Sequence, residues 1–400
     1  MENTANKLER KTQSQIDLKQ QKCEIANSDS CSNLNRSHQS SAWNLNSCVS
    51  NCCTRSANPF RSKKTQSTSD ISRSHETWHR PLTNCMFDSH FKNTNRVDEF
   101  QIEHLVARGA FACVFKVFPK DKPQEHALAL KTIKKSKVIK NNCVKQIKEE
   151  SDIQKLCGHH PFIVQHFDSW QDRRHLYILC EYVSNGELLS KISNFTNELI
   201  RLYVAEIAIA IDFLHNAGVI YRDAKPENIL LTHNFHIKIT DFGLSKWLKL
   251  GAKTRTMCGT HQYMAPEILR SEPYGHSVDW WALGVIIFQM YTKKFPNFEE
   301  VMKISVSSDD DKNNSVSKKN FFPEEFDSIN PDGKDILIRL LDINPKTRLH
   351  SVISLQKIAL YKNFKIDKKY IQNISPMDII KKENILLYNS AEESTFDFQF

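Results

Sequence analysis

The 400-residue chain has no run of about 18 apolar residues, so no transmembrane helix is expected. Its longest apolar stretch, Trp280 to Tyr291, is too short and contains Gln289; it reads as a buried core helix. The N-terminus, Met-Glu-Asn-Thr, lacks the apolar core of a secretory signal. It also lacks Gly at position 2, which excludes N-myristoylation of the sequence as it stands. The 11 cysteines are odd in number and follow no regular spacing, which argues against a disulfide framework and for a reducing compartment. No stripe of aromatics interleaves with the basic residues. The net charge of +9 and pI near 8.9 therefore read as scattered Lys and Arg, not as a nucleic-acid surface.

What is present is unevenly spread. Residues 1 to 95 are rich in Ser, Asn, Thr, Gln and Lys and poor in aliphatics, too poor to offset chain entropy by burial, and they read as a disordered tail. Cys48, Cys52 and Cys53, with His75 and His79, lack a second Cys-x-x-Cys pair, so no metal site is expected there. From Phe100 the pattern changes. Phe100 to Phe118 alternates like two strands around a turn at Gly109, and Ala127 to Ile133, Phe162 to Trp170 and Leu176 to Tyr182 read as three more. Asn141 to Leu156 has helical spacing, giving a five-stranded sheet with one helix. After Gly186 the chain turns helical, with helices expected over Thr196 to Ala217, Ser277 to Tyr291 and Pro331 to Leu341. The run Ser305 to Lys319 reads as a solvated loop.

The chemistry concentrates in Tyr221-Arg222-Asp223-Ala224-Lys225-Pro226-Glu227-Asn228, followed by Asp241-Phe242-Gly243 and then Ala265-Pro266-Glu267. Phosphoryl transfer asks a protein for positioning and charge stabilisation, not for covalent chemistry. Asp223 can accept a hydroxyl proton, Lys225 can neutralise the transferring group, and Asn228 and Asp241 can hold Mg²⁺ ions that bridge the phosphates of ATP. Leu128-Ala129-Leu130-Lys131 ends an apolar strand on a cation suited to phosphate. The partner carboxylate of Lys131 should lie on the next helix. Glu149 fits best, with Ile153 one turn later as its packing residue, and Glu150 is the competing choice.

From Phe100 to Phe364 the chain resembles the eukaryotic protein kinases. The resemblance implies an α+β, two-lobed fold, with an N-lobe over 100–183 (five-stranded antiparallel sheet plus one helix), a mainly helical C-lobe over 184–364 and a short tail over 365–400. It also implies ATP and Mg²⁺ as cofactors. Ala107-Arg108-Gly109-Ala110-Phe111-Ala112-Cys113-Val114 stands where the family has its Gly-rich loop, with only the central Gly109 kept. Ala107 and Ala112 each add a methyl where Gly would let backbone approach phosphate. Val114, Ala129 and Leu230 should sandwich adenine, Glu181 to Val183 should form the hinge, and Cys180 should guard the back of the pocket.

Thr256-Met257-Cys258-Gly259-Thr260 leading to Tyr263 and Ala265-Pro266-Glu267 resembles the AGC group, as do Tyr221-Arg222-Asp223, His160-Pro161-Phe162 and the paired Trp280-Trp281 after Asp279. Within that group the chain is most similar to the orphan subgroup called ribosomal protein S-six kinase-related, through Leu105 to Gly109, Lys148-Glu149-Glu150 and Asp168 to Gln171. The likeness implies that Thr260 steadies Asp223 and Lys225, that Arg348 pairs with Glu267, and that Thr256 is phosphorylated by an upstream kinase. Glu187 would then receive an Arg three residues upstream of a Ser or Thr acceptor in protein substrates, and Glu227 would add charge near the neighbouring subsite. A monomer in the cytoplasm or nucleus is expected. The rival reading is a scaffold without turnover, for which Ala107, Ala112 and Ala224 speak. Phe396, Phe398 and Phe400 would be the candidates for a C-terminal docking motif.

Overall fold

A computed structural model describes residues 85–109, 111–122, 126–191, 195–297 and 321–382. The cysteine and histidine cluster of the N-terminal tail, the run Ser305 to Lys319 and the C-terminal phenylalanines lie outside these residues.

The smaller lobe is a mostly antiparallel sheet of six strands: β1 (Lys92–Asn93), β2 (Phe100–Arg108), β3 (Ala112–Pro119), β4 (Leu128–Lys134), β5 (His166–Gln171) and β6 (His175–Glu181), in the order β1-β5-β6-β4-β3-β2. Two helices join β4 to β5: α1 (Lys135–Lys140) and α2 (Val144–Cys157). Period-two alternation splits the buried residues of the sheet between its faces. Val117, Leu130, Trp170, Tyr177 and Leu179 pack on one side with Phe100. Ile133, Leu176, Ile178 and Cys180 pack on the other with Ile147 of α2.

Three expectations need correction here. Among the described residues the lobe has two helices, not one, because the chain turns directly from β4 into α1. Its sheet, among the same residues, has six strands, not five. Its sixth, β1, comes from the segment expected to be a disordered tail up to residue 95. In residues 85–91 a helical turn has both His90 N–H and Phe91 N–H donating to the Phe87 carbonyl, at 2.9 Å each. This i, i+4 spacing puts Phe87 and Phe91 on one side, where both are fully buried. Each such burial contributes about 1.5–3 kcal/mol, enough to order a short segment that composition averaged over 95 residues hides.

The larger lobe is built on α4 (Asn197–Asn216), with the short α3 (Leu188–Lys191) before it. Thr196 caps α4 by accepting from Leu199 N–H at 3.4 Å, and Gly218, at φ +76°, ends the turn beyond it. Next come β7 (Val219–Ile220), β8 (Ile229–Leu231), β9 (Ile237–Ile239), β10 (Lys246–Trp247), α5 (Pro266–Leu269) and α6 (Ser277–Thr292). Helix α6 is apolar around most of its circumference because it runs through the middle of the lobe, with nearly every residue from Val278 to Met290 buried. Helices α7 (Pro331–Leu340), α8 (Val352–Leu355), α9 (Lys368–Gln372) and α10 (Pro376–Lys382) close the lobe. Among the described residues no helix is long and apolar enough to cross a membrane.

Candidate active site

The segment between β7 and β8 carries Asp223, and a buried carboxylate from α6 holds it in shape. Asp279 Oδ2 accepts from Tyr221 N–H at 2.9 Å and Oδ1 from Arg222 N–H at 2.7 Å. The clamp sustains a left-handed Arg222 (φ 69°), an unfavourable conformation for a side chain of that size. The sequence reading used Asp279 only as a landmark before Trp280. An acid leading into a long apolar helix was the available signal.

Asp223 is thereby presented to a tight polar cluster. Its Oδ2 accepts from Asn228 Nδ2 at 2.8 Å and its Oδ1 from Thr260 Oγ1 at 2.9 Å. Lys225 Nζ donates to Thr260 Oγ1 at 3.1 Å and stands 3.3 Å from Asp223 Oδ2. Thr260 comes from far along the chain, so this contact joins the segment before α5 to the β7–β8 loop.

Lys131 reaches the site from β4. Its Nζ lies 2.5 Å from Glu150 Oε1 and 3.3 Å from Asp241 Oδ1. The expected partner Glu149 is thus corrected to Glu150. Glu149 lies on the outer face of α2, 3.9 Å from Lys145 one turn earlier. The reason is helix phase. Ile147, Glu150, Ser151 and Gln154 form the i, i+3, i+4, i+7 stripe that faces the sheet. Ile153, taken as the phase marker, is buried in the larger lobe's core instead.

Burial disfavours the Lys131 ammonium, but Asp241 and Glu150 outweigh it and raise its pKa. Burial raises Glu150, against the pull of Lys131, while Lys131 holds Asp241 below its usual range. Asp241 sits at φ +55° and its Oδ1 also accepts from Gly243 N–H at 3.1 Å. Gln146 of α2 donates to the Gly243 carbonyl at 2.6 Å, a second link from that helix to the site which the sequence reading missed.

The nucleotide-side residues line up by register. Ala107 pairs with Val114, Val114 with Lys131 and Ala129 with Cys180. Gly109 N–H donates to the Ala112 carbonyl at 2.8 Å, closing the β2–β3 turn. Glu181 ends β6 and Val183 follows two residues later; Leu230 lies on β8, bridged to Glu187. Cys180 is buried, its sulfur taking a bond from Gln154 at 3.2 Å, and burial pushes its thiol up to about 12.

The donor set suits a hard cation. Asn228 and Asp241 offer oxygen ligands only, and among the described residues no group of three or more His, Cys, Asp or Glu could cage a metal alone. Mg²⁺ asks for no more than that, since it takes one or two carboxylates and completes its octahedron with phosphates and water.

A small twisted sheet over a helical lobe, with a Lys–Glu pair in one and an Asp–Lys–Asn cluster in the other, defines a phosphotransferase of the protein kinase class. The protein kinase domain family matches residues 100–358. A human ribosomal protein S6 kinase-related protein is 38% identical over 305 residues, which cover 75% of this chain and 70% of that one. A RAC family serine/threonine-protein kinase homolog of Dictyostelium discoideum is 35% identical over 286 residues, 70% of this chain and 62% of its own. The cAMP-dependent protein kinase catalytic subunit of that organism is 38% identical over 257 residues, 64% of this chain and 38% of its own. The chain therefore belongs to the protein kinase family and is a serine/threonine kinase of the AGC group.

Proposed function

We propose that the protein transfers the γ-phosphate of ATP to Ser and Thr side chains of proteins that carry Arg upstream of the acceptor. The observation that carries this reading is the Asp223 carboxylate, fixed on both oxygens and flanked by Lys225. Asp223 takes the acceptor's hydroxyl proton as the oxygen attacks, Lys225 offsets charge on the phosphoryl group, and Lys131, oriented by Glu150, anchors the inner phosphates. Asn228 and Asp241 would hold Mg²⁺, which when bound neutralises charge on the phosphate oxygens. Ala107, Gly109 and Ala112 cover the phosphates, and Val114, Ala129, Leu230, Glu181 and Val183 take the adenine. A scaffold role is less well supported: Ala224 is a core residue of the larger lobe, so its departure from the family pattern is a packing matter.

Selectivity is assigned to Glu187 and Glu227. Burial pushes Glu187 up to about 7, helped by the charge of Glu227 and opposed by Lys225. Ionised, it offers a guanidinium a bidentate partner that Lys cannot match. The neighbouring subsite is weaker, because Gln289 is neutral and already accepts from Tyr263 Oη at 2.8 Å. A peptide library with γ-labelled ATP tests both parts. Asp223→Asn is expected to abolish transfer; undiminished transfer would remove Asp223 as the base. Arg should be enriched three residues before the acceptor, and Glu187→Gln should flatten that preference. Because a raised carboxylate pKa keeps the group protonated below it, KM for Arg peptides should rise about tenfold one pH unit below that value. Flat or acidic selection, or a pH-independent KM, would refute the assignment of Glu187.

Thr256 is proposed as the activating phosphosite. It is exposed on the segment between Asp241 and Glu267, with two cations each linked to it through one intervening residue. Arg222 reaches Tyr274 Oη at 3.5 Å, which donates to the Thr256 carbonyl. Lys246 reaches Thr254 Oγ1 at 3.4 Å, which lies 3.4 Å from Thr256 Oγ1. A phosphate adds about −1.5 to −2 charge and would draw both cations onto it. Mass spectrometry of active enzyme should find Thr256 phosphorylated; active enzyme unmodified there would refute the proposal.

A further inference from the structure

We propose that residues 85–93 are a positioning strap for α2, with Phe87, His90 and Phe91 holding that helix, and through it Glu150, against Lys131. The inference rests on the phosphoryl-transfer reading above. The segment precedes the family match at residues 100–358, yet its strongest contacts converge on α2 and the strands beside it.

Phe87 and Phe91 are fully buried in one cluster with Ile147 of α2, Val138 of α1 and Leu176 and Ile178 of β6. Ile147 stands one turn before Glu150 on the same face, so a shift of Ile147 moves the Glu150 carboxylate with it. His90 Nε2 lies 2.9 Å from Asp152 Oδ2, a second grip on the helix. A third runs through hydroxyls: Ser151 Oγ donates to Ser169 Oγ at 3.4 Å, and Ser169 Oγ to the His90 carbonyl at 3.1 Å.

The strap is itself anchored. Buried Gln171 donates through Nε2 to Asp88 Oδ1 at 2.8 Å and to the Phe91 carbonyl at 3.0 Å, while its Oε1 accepts from Lys135 Nζ at 2.6 Å. Strand β1 pairs in parallel with β5, Lys92 opposite Trp170.

Helix α2 needs such support. Its N-cap residue, Cys143, makes no side-chain cap bond, so that stabilisation of its start is missing. The same helix reaches the reaction site through Gln146 at the Gly243 carbonyl and Glu150 at Lys131. The helix therefore lies between the strap and the catalytic groups, and a change in strap occupancy alters the Lys131–Glu150 distance without any contact to substrate.

The test uses the full chain. Phe87→Ala with Phe91→Ala should lower kcat/KM about tenfold or more. Amide hydrogen exchange should quicken in residues 144–157 but not in α4 or α6. A synthetic peptide of residues 85–95 should restore activity to this variant, and the same peptide with both Phe replaced by Ala should not. The milder His90→Ala and Asp152→Ala should each cost about two- to threefold, and together no more than either alone, as for one shared contact. Unchanged kcat/KM and α2 exchange would overturn the proposal. So would a loss accompanied by exchange throughout the chain with no rescue by peptide, which marks a merely structural role. If wild-type enzyme showed no turnover, the phosphoryl-transfer reading would fail, while the exchange arm would still decide the strap.

Discussion

Replacing Lys131 by Met is expected to lower phosphoryl transfer by on the order of 10²-fold or more while leaving the fold intact. Met keeps the apolar stem that runs along β4 between Val114 on β3 and Ile178 on β6. What it removes is the ammonium that bridges Glu150 and Asp241. Without that cation the buried Glu150 carboxylate faces the exposed Asp241 carboxylate with no charge between them, and burial already raises Glu150. Glu150 then takes up a proton, which limits the cost to stability but leaves the inner phosphates without their counter-charge. The loss should fall on both kcat and KM for ATP, with circular dichroism and melting close to wild type. Glu150→Gln should share much of the loss, whereas Glu149→Gln, on the outer face, should turn over normally. Wild-type turnover by Lys131→Met would remove this residue from the phosphate site.

How far the sequence could be read depends on whether a feature is local or set by packing. The meeting of Asp223, Lys225 and Asn228 follows from a span of six residues and a 3-10 turn at Pro226–Asn228, so spacing alone suggests it. Strands β4 and β6 and helices α4 and α6 announce themselves by length and apolar content. The choice between Glu149 and Glu150 is different in kind. Adjacent residues on a helix point about 100° apart, and which one faces the sheet depends on how α2 rolls between two cores. Ile147 faces the smaller lobe's core and Ile153 the larger one's, so one buried isoleucine could not fix the phase. The strap was hidden for a third reason. Two phenylalanines four residues apart are a weak signal amid polar sequence, and their burial needs a cleft made by residues from Ile133 to Cys180, far along the chain. The i, i+4 spacing of Phe87 and Phe91 was the one clue available. Asp279 shows the same limit, since it acts on the β7–β8 loop from far along the chain, and Thr260, equally distant, is reached only through the family resemblance.

Truncating Arg348 should produce the largest loss of stability. Its guanidinium makes a two-pronged contact with Glu267, Nη1 to Oε1 at 2.6 Å and Nη2 to Oε2 at 2.9 Å. The three remaining N–H groups go to carbonyls: Nε to Asp342 at 2.9 Å, Nη1 to Ser277 at 3.1 Å and Nη2 to Ile343 at 3.4 Å. All five donors are used, and the guanidinium also lies over the Trp281 ring at 5.1 Å. Both side chains are almost wholly out of water. Such a pair adds little beyond what apolar residues of the same volume would, but removing one partner strands a buried charge and costs about 3–5 kcal/mol. Arg348→Ala should therefore lower the melting temperature by on the order of 10 °C. Arg348→Lys should recover little, since an ammonium cannot reproduce the planar fork. The asymmetry gives the decisive comparison. Once Arg348 is gone, converting Glu267 to an apolar residue removes the stranded carboxylate, so the double variant should be no less stable than Arg348→Ala alone. Additive losses in the double variant, or a melting temperature unchanged by Arg348→Ala, would show that this pair does not tie the segment before α6 to the end of the lobe.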